Sequence, residues 1–330
     1  MAVSRLAALF ASDRFPHALL LEGPESVGKT TAARQLARRL LCHRGEGPLA
    51  CGQCGSCLKV EAGVHADLTI AQVEEKTIKV DHIRELESVL RLRPLEGERK
   101  VLIIPDAHRM SPAAQNALLK TLEEPPGRAH LILTTSRLKA MLPTVVSRCQ
   151  RVPFAPIPTR LIAQEVAEKR GLPAEVAQLI AALAHGSLGR ALGLELEALQ
   201  AARDHAAALD RQLEGRTPRT AILAMESAVE LAGEKAGMLE TLELWSIWLH
   251  DQVLLASGAD LADLANLDRR AELESLAQSR GLEEVLRRTE QVMEAKRQLE
   301  LSFNFNPAMV AEQLCLALTG HAKLVPAPRR

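Results

Sequence analysis

The sequence predicts an α/β domain built on a parallel sheet, followed by a small helical domain and an all-α C-terminal domain. Short apolar runs alternate with helical stretches up to about residue 155, which is typical of strands and covering helices. Three prolines between residues 153 and 158 then break any regular element. Beyond them, apolar residues recur at helical spacing almost to the end. We therefore divide the chain into domains 1–155, 156–204 and 205–330.

The predicted elements follow from the spacing and length of these apolar runs. The first residues indicate an amphipathic helix, and later runs bounded by Gly, Pro or charge fit strands buried on both faces. The predicted strands are 18–22, 67–71, 101–104 and 131–134. The predicted later helices are 158–170, 173–184, 187–200 and 282–301, the last with one apolar stripe formed by Leu282, Val285, Leu286, Val292, Met293 and Leu299.

Composition excludes several classes of protein. With 47% hydrophobic and 25% charged residues, the 330-residue chain is not disordered. No run of 18 apolar residues lacks a charge, so no membrane-spanning segment is predicted. The 41 basic and 41 acidic side chains balance, which gives no support to bulk attraction to nucleic acid. The start lacks the pattern of a secretory signal, so we expect a cytoplasmic protein.

A phosphate-binding loop is the first chemical motif. Residues 23–30 read Gly-Pro-Glu-Ser-Val-Gly-Lys-Thr, which fits the Walker A pattern, and they lie between an apolar strand and a helix. Backbone amides of such a loop surround phosphate oxygens, while Lys29 would reach the β- and γ-phosphates and Thr30 would hold Mg²⁺. The candidate nucleotide-binding residues here are Gly23, Ser26, Gly28, Lys29, Thr30 and Thr31. The alternative is a glycine turn that binds nothing.

The second half of an ATPase site is incomplete in this sequence. An apolar strand at 101–104 leads through Pro105 to Asp106, which suits Mg²⁺ coordination through water. The next residue is Ala107, whose methyl group cannot activate a water for attack on the γ-phosphate. His108 follows, but on an extended chain it would point elsewhere. The sequence therefore predicts a site that can bind ATP with Mg²⁺ and hydrolyses it poorly or not at all.

Four clustered cysteines predict a structural zinc site. Cys42, Cys51, Cys54 and Cys57 lie within sixteen residues, between the Walker A helix and the next strand. Four thiolates suit tetrahedral Zn²⁺ without an open coordination position. Nearby His43 and His65 are possible substitute ligands, and four free thiols are the alternative.

These motifs together resemble the AAA+ clamp-loader subunits of bacterial DNA replication. The most specific part is residues 113–126, Ala-Ala-Gln-Asn-Ala-Leu-Leu-Lys-Thr-Leu-Glu-Glu-Pro-Pro, followed by Thr-Thr-Ser at 134–136 and Ser-Arg-Cys at 147–149. The four cysteines after the Walker A motif narrow the resemblance to the bacterial group, and within that group the missing glutamate after Asp106 makes the sequence look like the delta prime subunits. The resemblance is strongest over 1–155. It continues through Gly-Ser-Leu-Gly-Arg at 186–190 and Asn-Phe-Asn-Pro at 304–307.

The resemblance implies roles for particular residues and domains. Arg148 would act in trans as an arginine finger on the nucleotide of a neighbouring subunit. Thr135 would take the sensor 1 position and Arg190 the sensor 2 position in a helical lid, and the C-terminal domain would build an oligomeric collar. The partners implied are gamma/tau and delta type subunits and, through the complex, the sliding clamp and primer–template DNA. Many delta prime members have a degraded Walker A motif, and the intact phosphate loop of this chain departs from that pattern.

Three alternatives remain open from the sequence. A gamma/tau-type motor subunit with real ATPase activity would use the same loop, although Ala107 argues against it. A P-loop small-molecule kinase would need a lid with clustered arginines, which the helical second half does not supply. A zinc-stabilised DNA-binding protein is disfavoured by the zero net charge.

Overall fold

The computed structural model describes residues 2–11, 15–44, 47–72, 77–259, 261, 264–301 and 306–322. The chain forms two compact units, Met1–Ile157 and Pro158–Arg330, so their boundary falls within the proline-rich segment. No helix among the described residues is long and apolar enough to span a membrane.

The first unit is a parallel sheet with helices on both faces. Its strands are β1 (Ala18–Glu22), β2 (Leu68–Ile70), β3 (Lys100–Ile104), β4 (Ala129–Thr135) and β5 (Gln150–Pro153). Its helices are α1 (Ala2–Ala11), α2 (Lys29–Leu41), α3 (Gly55–Glu61), α4 (Val80–Leu90), α5 (Pro112–Glu123) and α6 (Pro143–Val146). The strand order is β2–β3–β4–β1–β5, with every neighbouring pair parallel. The four predicted strands are confirmed, and β5 is an additional edge strand.

The continuous apolar character of the strands arises because the sheet is covered on both faces. Leu20 packs with α4, α5 and α6 on one face, whereas Leu19 and Leu21 pack with α1, α2 and α3 on the other. Successive strand residues point to opposite faces, so a strand covered on both sides needs an apolar residue at every position. Each such leucine contributes about 1.5–3 kcal/mol through burial.

The strand order also determines where a site can form. Because all strands are parallel, their carboxyl ends meet at one edge of the sheet, where ligands of such folds bind. Strand β4 lies between β1 and β3. The segments that follow Glu22, Ile104 and Thr135 therefore converge there.

The second unit is all-helical within the described residues. Its helices are α7 (Thr159–Arg170), α8 (Ala174–Leu183), α9 (Leu188–Gly193), α10 (Leu196–Gln212), α11 (Pro218–Leu231), α12 (Lys235–Ser257), α13 (Arg270–Leu301) and α14 (Pro307–Leu318). The single helix predicted at 187–200 is wrong, since α9 ends at Gly193 and α10 begins at Leu196. Helix α10 runs through residue 204, where we placed a domain boundary. The subdivision into 156–204 and 205–330 stays a prediction.

Helix α13 departs from its predicted single stripe. It is interrupted at Gly281, whose φ of 73° lies outside the helical region. In the part that follows, Val285, Val292 and Leu299 are buried, whereas Leu282, Leu286 and Met293 are 39%, 43% and 58% exposed. This part of the helix therefore carries two apolar faces. The Asn-Phe-Asn-Pro motif is described only from Asn306, which caps α14; residues 304 and 305 lie outside the described residues.

Candidate functional site

The phosphate loop connects β1 to α2 and is held against the neighbouring strands. The Gly23 amide donates to the carbonyl of Thr135 at 3.1 Å. A Cβ atom at Gly23 would lie 2.2 Å from the carbonyl oxygen of Phe154, and its φ is +151°, so only glycine fits here. Gly28 precedes α2 in a left-handed conformation, with φ of 93°. The backbone thus folds into the glycine-dependent turn that the Walker A pattern predicts.

Lys29 lies inside this loop and is buried. Its Nζ donates to the carbonyl oxygen of Gly23 at 2.9 Å and to that of Pro24. Burial lowers the pKa of Lys29, while the charges of Asp106 and Glu25 oppose this shift. The ammonium group therefore sits at the convergence of the strand ends, close to two carboxylates. Thr30 and Thr31 follow it as exposed residues of the first turn of α2, and the exposed Ser26 has a positive φ of 56°.

Asp106 lies two residues beyond the end of β3, in a left-handed conformation with φ of 45°. Its amide donates to the hydroxyl of Thr134 at 3.1 Å. Thr135 ends β4 and is fully buried, and its hydroxyl accepts from the amide of Arg137 at 3.1 Å. The structure thus brings Lys29, Asp106 and Thr135 to one edge of the sheet.

The expectation of an extended chain after Asp106 is wrong. A 3-10 turn at Ala107–Arg109 follows instead, and it brings His108 Nδ1 to 3.4 Å from the hydroxyl of Thr135. Burial lowers the pKa of His108 and outweighs the opposing charge of Asp106, which favours the neutral ring. No pattern of residues indicates this placement, because it depends on the left-handed backbone of a non-glycine residue.

Glu25 and Ala107 complete the surroundings of the loop. Glu25 accepts a hydrogen bond from the Ser136 hydroxyl at 3.3 Å, which ties the phosphate loop to the end of β4. Ala107 is fully buried among the core residues that cover one face of the sheet, including Met110 and Ala114. The end of β3 therefore presents one carboxylate, that of Asp106, and the residue after it is directed into the core.

Arg148 lies in the turn between α6 and β5. Its Nε donates to Glu123 Oε1 at 2.7 Å, its Nη2 pairs with the same oxygen, and its Nη1 donates to the carbonyl of Thr144 at 3.0 Å. These partners belong to α5 and α6, not to the phosphate loop of this chain. The side chain is 36% exposed.

Arg190 belongs to the second unit, in α9. Ser187 caps this helix by accepting from the Arg190 amide at 3.1 Å. The guanidinium Nη2 contacts both oxygens of Glu243, in α12, at 2.9 and 3.0 Å, and His185 Nε2 contacts the same carboxylate at 2.6 Å. Burial raises the pKa of Glu243, but the hydrogen bond from His185 and the charge of Arg190 outweigh it and hold the pKa below its usual range.

The four clustered cysteines converge on one point. Cys42 Sγ lies 3.9 Å from Cys54 Sγ, Cys51 Sγ lies 3.9 Å from Cys57 Sγ, and all four sulfur atoms lie within 4.8 Å of one another. Tetrahedral zinc with Zn–S bonds of about 2.3 Å holds its sulfur ligands about 3.8 Å apart. The cluster therefore has the chemistry and the spacing to hold a metal ion.

Backbone amides favour the thiolate form of Cys51 and Cys54, whereas burial raises the pKa of Cys57 to about 12. The amide of Cys51 points to Cys42 Sγ and that of Cys57 to Cys54 Sγ, each at 3.4 Å. Burial raises the pKa of Cys54, but the amides of Cys57 and His43 outweigh it and lower the pKa to about 6. Thiolates are the form that binds metals.

His65, considered above as a substitute ligand, has another role in the structure. Its Nε2 lies 2.9 Å from the Ser56 hydroxyl, and its Nδ1 accepts from the Asp67 amide at 3.1 Å. Because the Ser56 hydroxyl donates to the Leu41 carbonyl at 2.6 Å, it accepts from His65 Nε2. Both ring nitrogens are therefore used in buried hydrogen bonds, and the potential metal ligands are the four cysteines alone within the described ranges.

Comparison with known proteins shows what this chain is similar to. Residues 1–158 match the family described as DNA polymerase III, delta subunit, and residues 196–320 match DNA polymerase III, delta subunit, C terminal. The DNA polymerase III subunit delta' of Bacillus subtilis is 37% identical over 169 residues, covering 51% of this chain and 51% of that protein. The tau subunit of Escherichia coli is 32% identical over 240 residues, covering 71% of this chain and 37% of that protein. A solved DNA polymerase III gamma subunit-related protein of Thermotoga maritima aligns with a TM-score of 0.39 and 18% identity, covering 97% of this chain and 99% of that chain.

The fold and the phosphate loop define a P-loop protein of the AAA+ class with a helical C-terminal region. The chain belongs to the family of DNA polymerase III clamp-loader subunits. It spans about half the length of the delta' relatives that it matches. This membership disfavours both the small-molecule kinase and the zinc-stabilised DNA-binding protein.

Proposed function

We propose that the chain is a delta prime type subunit of a DNA polymerase III clamp loader, with weak or no ATPase activity of its own. The observation that carries this proposal is the single carboxylate at the end of β3, where Asp106 is followed by the buried Ala107. Phosphoryl transfer to water requires a group that holds the metal and a separate group that orients the water. Identity to delta' proteins of Bacillus subtilis and Pseudomonas aeruginosa supports the same assignment.

The chain's own residues would bind ATP rather than turn it over. The backbone amides of 23–30 and the first turn of α2 would surround the phosphates, and Lys29 would exchange its contacts with Gly23 and Pro24 for phosphate oxygens. A bound Mg²⁺ would neutralise phosphate charge, held by Thr30 and Asp106. Thr135 would hydrogen-bond near the γ-phosphate, and Arg190 would keep the sensor 2 role that the resemblance implies.

Within the complex, Arg148 would serve the nucleotide of a neighbouring subunit. A guanidinium group is planar, always charged and rich in donors, which suits the charge that develops on a transferring phosphoryl group. Its exposure and its position away from this chain's own phosphate loop are consistent with action in trans. The helical C-terminal region would form the collar, and Cys42, Cys51, Cys54 and Cys57 would hold a structural zinc. The complex would load the sliding clamp onto primer–template DNA.

A gamma/tau-type motor is the second candidate. The specific observation in its favour is the complete phosphate loop with a buried lysine, together with the 32% identity to the Escherichia coli tau subunit. ATP turnover by the isolated chain distinguishes the two. We expect ATP binding without appreciable hydrolysis. Turnover near about 1 s⁻¹ that Lys29→Ala abolishes would identify a motor instead.

The finger role is tested in the assembled complex with Arg148→Ala. An exposed arginine contributes little to folding, so the melting temperature and the assembly of the complex should be unchanged. Clamp-stimulated ATP hydrolysis should fall by up to about a thousandfold at the one site that Arg148 completes, and less for the whole complex. Assembly is checked by size-exclusion chromatography. An assembled mutant complex with wild-type hydrolysis and clamp loading would show that Arg148 has no such role.

A further inference from the structure

The backbone that carries Arg148 is fixed on both sides. The Arg148 amide donates to the carbonyl of Val145 at 3.2 Å, and Val145 and Cys149 are both buried in the core of the first unit. The segment before α6 is fixed as well, because the side-chain oxygen of Gln115 accepts from the Leu142 amide at 2.7 Å. The Cα atom of Arg148 therefore has a defined place, and only the direction of its long side chain is left open.

That direction is set by one carboxylate and one carbonyl group. Glu123 Oε1 bridges Nε and Nη2 of Arg148, and the Thr144 carbonyl accepts from Nη1. A guanidinium group has five N–H donors, and these contacts use three of them. Two N–H groups remain, one on each terminal nitrogen, and the side chain is partly exposed. The contacts use one donor on each of the three nitrogens and leave one N–H group of each terminal nitrogen for an incoming phosphate.

The backbone that carries Glu123 is anchored by the buried end of α5. It is the last residue of α5, directly after the buried Thr121 and Leu122, and the Thr121 hydroxyl bonds to the buried Glu87 of α4. The next residue, Glu124, is also exposed and acidic but makes no ion pair within the described part of the chain. Of these two adjacent residues, Glu123 ends α5 and contacts Arg148, whereas Glu124 caps the helix.

We propose that Glu123 is a positioning residue for Arg148, and that it presents the two remaining guanidinium N–H groups to an anionic phosphate on a neighbouring subunit. The inference rests on the proposed function, in which Arg148 acts in trans. Glu123 touches neither the phosphate nor the reacting atoms, and acts only by restricting the rotamers of Arg148. Preorganisation of this kind reduces the cost of ordering a flexible side chain at the moment of reaction.

The test compares Glu123→Gln with the matched control Glu124→Gln in the complex reconstituted with its own partner subunits. We expect Glu123→Gln to slow single-turnover, clamp-stimulated ATP hydrolysis about tenfold at the site served by Arg148, and Glu124→Gln to leave it unchanged. In an Arg148→Ala background, Glu123→Gln should have no additional effect, because its action passes through the arginine. Melting temperature and assembly are measured for each variant. Should Glu123→Gln fail to assemble, Glu123→Asp, which keeps the charge but shortens the reach, replaces it in the same comparison.

The possible failures are distinguishable. If Arg148→Ala leaves hydrolysis unchanged, the finger role in the proposed function is wrong. If Arg148→Ala slows hydrolysis but Glu123→Gln behaves as Glu124→Gln does, the finger stands and the positioning role is wrong. Faster hydrolysis in Glu123→Gln, or an equal loss with and without Arg148, would also overturn the positioning role.

Discussion

Asp106 shows how one backbone conformation reorganises a site at the scale of single residues. A left-handed conformation is uncommon for non-glycine residues, and aspartate is among those that tolerate it best. The hydrogen bond from the Asp106 amide to Thr134 supports it here. Because of this turn, Ala107 points into the core and His108 lies beside Thr135. The motif could be found from the sequence, but these two side-chain directions could not.

The substitution Ala107→Glu tests whether the side chain at position 107 points into the core. If residue 107 faced the phosphate loop, a glutamate would restore the missing carboxylate and raise ATP hydrolysis. Since Ala107 is fully buried among apolar residues, we expect instead a loss of more than about 2 kcal/mol in the free energy of unfolding and no gain in hydrolysis. Urea denaturation and an ATPase assay measure the two effects. Ala113→Glu, at an exposed position in the first turn of α5, is the control and should leave stability almost unchanged. A stable Ala107→Glu variant with new ATPase activity would contradict this assignment.

At the scale of elements, the cysteine cluster is connected to the C-terminal end of α2 and, through a chain of hydrogen bonds, to the loop before β3. Cys42 directly follows α2, and the Ser56 hydroxyl bonds to the last carbonyl of that helix, at Leu41. The chain of bonds continues through His65 to Asp67, whose carboxylate accepts from the amides of Leu95, Glu96 and Gly97. The cluster thus holds the C-terminal end of the helix whose N-terminal end carries the phosphate loop.

Zinc binding by this cluster is therefore expected to stabilise the first unit. Structural zinc contributes on the order of 10 kcal/mol in small peptides, and less where a domain has its own core. We expect one zinc per chain by elemental analysis, and a melting temperature about 5–10 °C lower after chelation. Cys57→Ser should reduce the zinc content, whereas Cys149→Ser, outside the cluster, should not. If protein purified from cells supplied with zinc contains no zinc, the assignment is wrong.

The elements that could be predicted are those whose burial is visible in the sequence. Strands β1 to β4 are apolar runs because helices cover both faces of the sheet. Strand β5 lies at the edge with only Val152 buried, so it shows no apolar run. In α13, the exposed Leu286 and Met293 are as apolar as the buried Val285, and composition alone does not separate the two faces. The cysteine spacing predicted the convergence of the thiols, whereas the ion pairs of Arg148 and Arg190 depend on contacts between distant elements.

At the scale of the whole molecule, both units bury apolar side chains, and the second unit also buries the carboxylate of Asp210, which is fully inaccessible to solvent. Its two carboxylate oxygens accept from the side chains of Trp245, Trp248, Gln252, Arg280 and Arg288. These donors come from α12 and from both sides of the interruption in α13. One carboxylate on α10 therefore connects three helical segments.

The charge of Asp210 is maintained by its partners. Burial alone would raise the pKa of Asp210, but the charges of Arg288 and Arg280 outweigh it and hold the pKa below its usual range. A carboxyl group whose folded pKa is depressed stabilises the protein above its unfolded pKa of about 3.9. This contribution is lost as the pH falls through the folded pKa, so the second unit should lose stability in acid below about pH 4.

Asp210→Asn gives the corresponding test at neutral pH. The amide has nearly the same shape, but its NH₂ group would face at least two donors in either orientation, and the two arginines would lose their buried counter-charge. Removing one partner of a buried ion pair costs about 3–5 kcal/mol, so we expect faster amide hydrogen exchange in α10, α12 and α13 of the full chain. Exchange in β1 to β4 reports on the first unit and should change little. Asp204→Asn is the matched control, because Asp204 lies on the same helix and pairs with Arg269 while 58% exposed, and it should leave exchange near the wild-type level. Equal protection in the two variants would mean that Asp210 is not what holds these helices together.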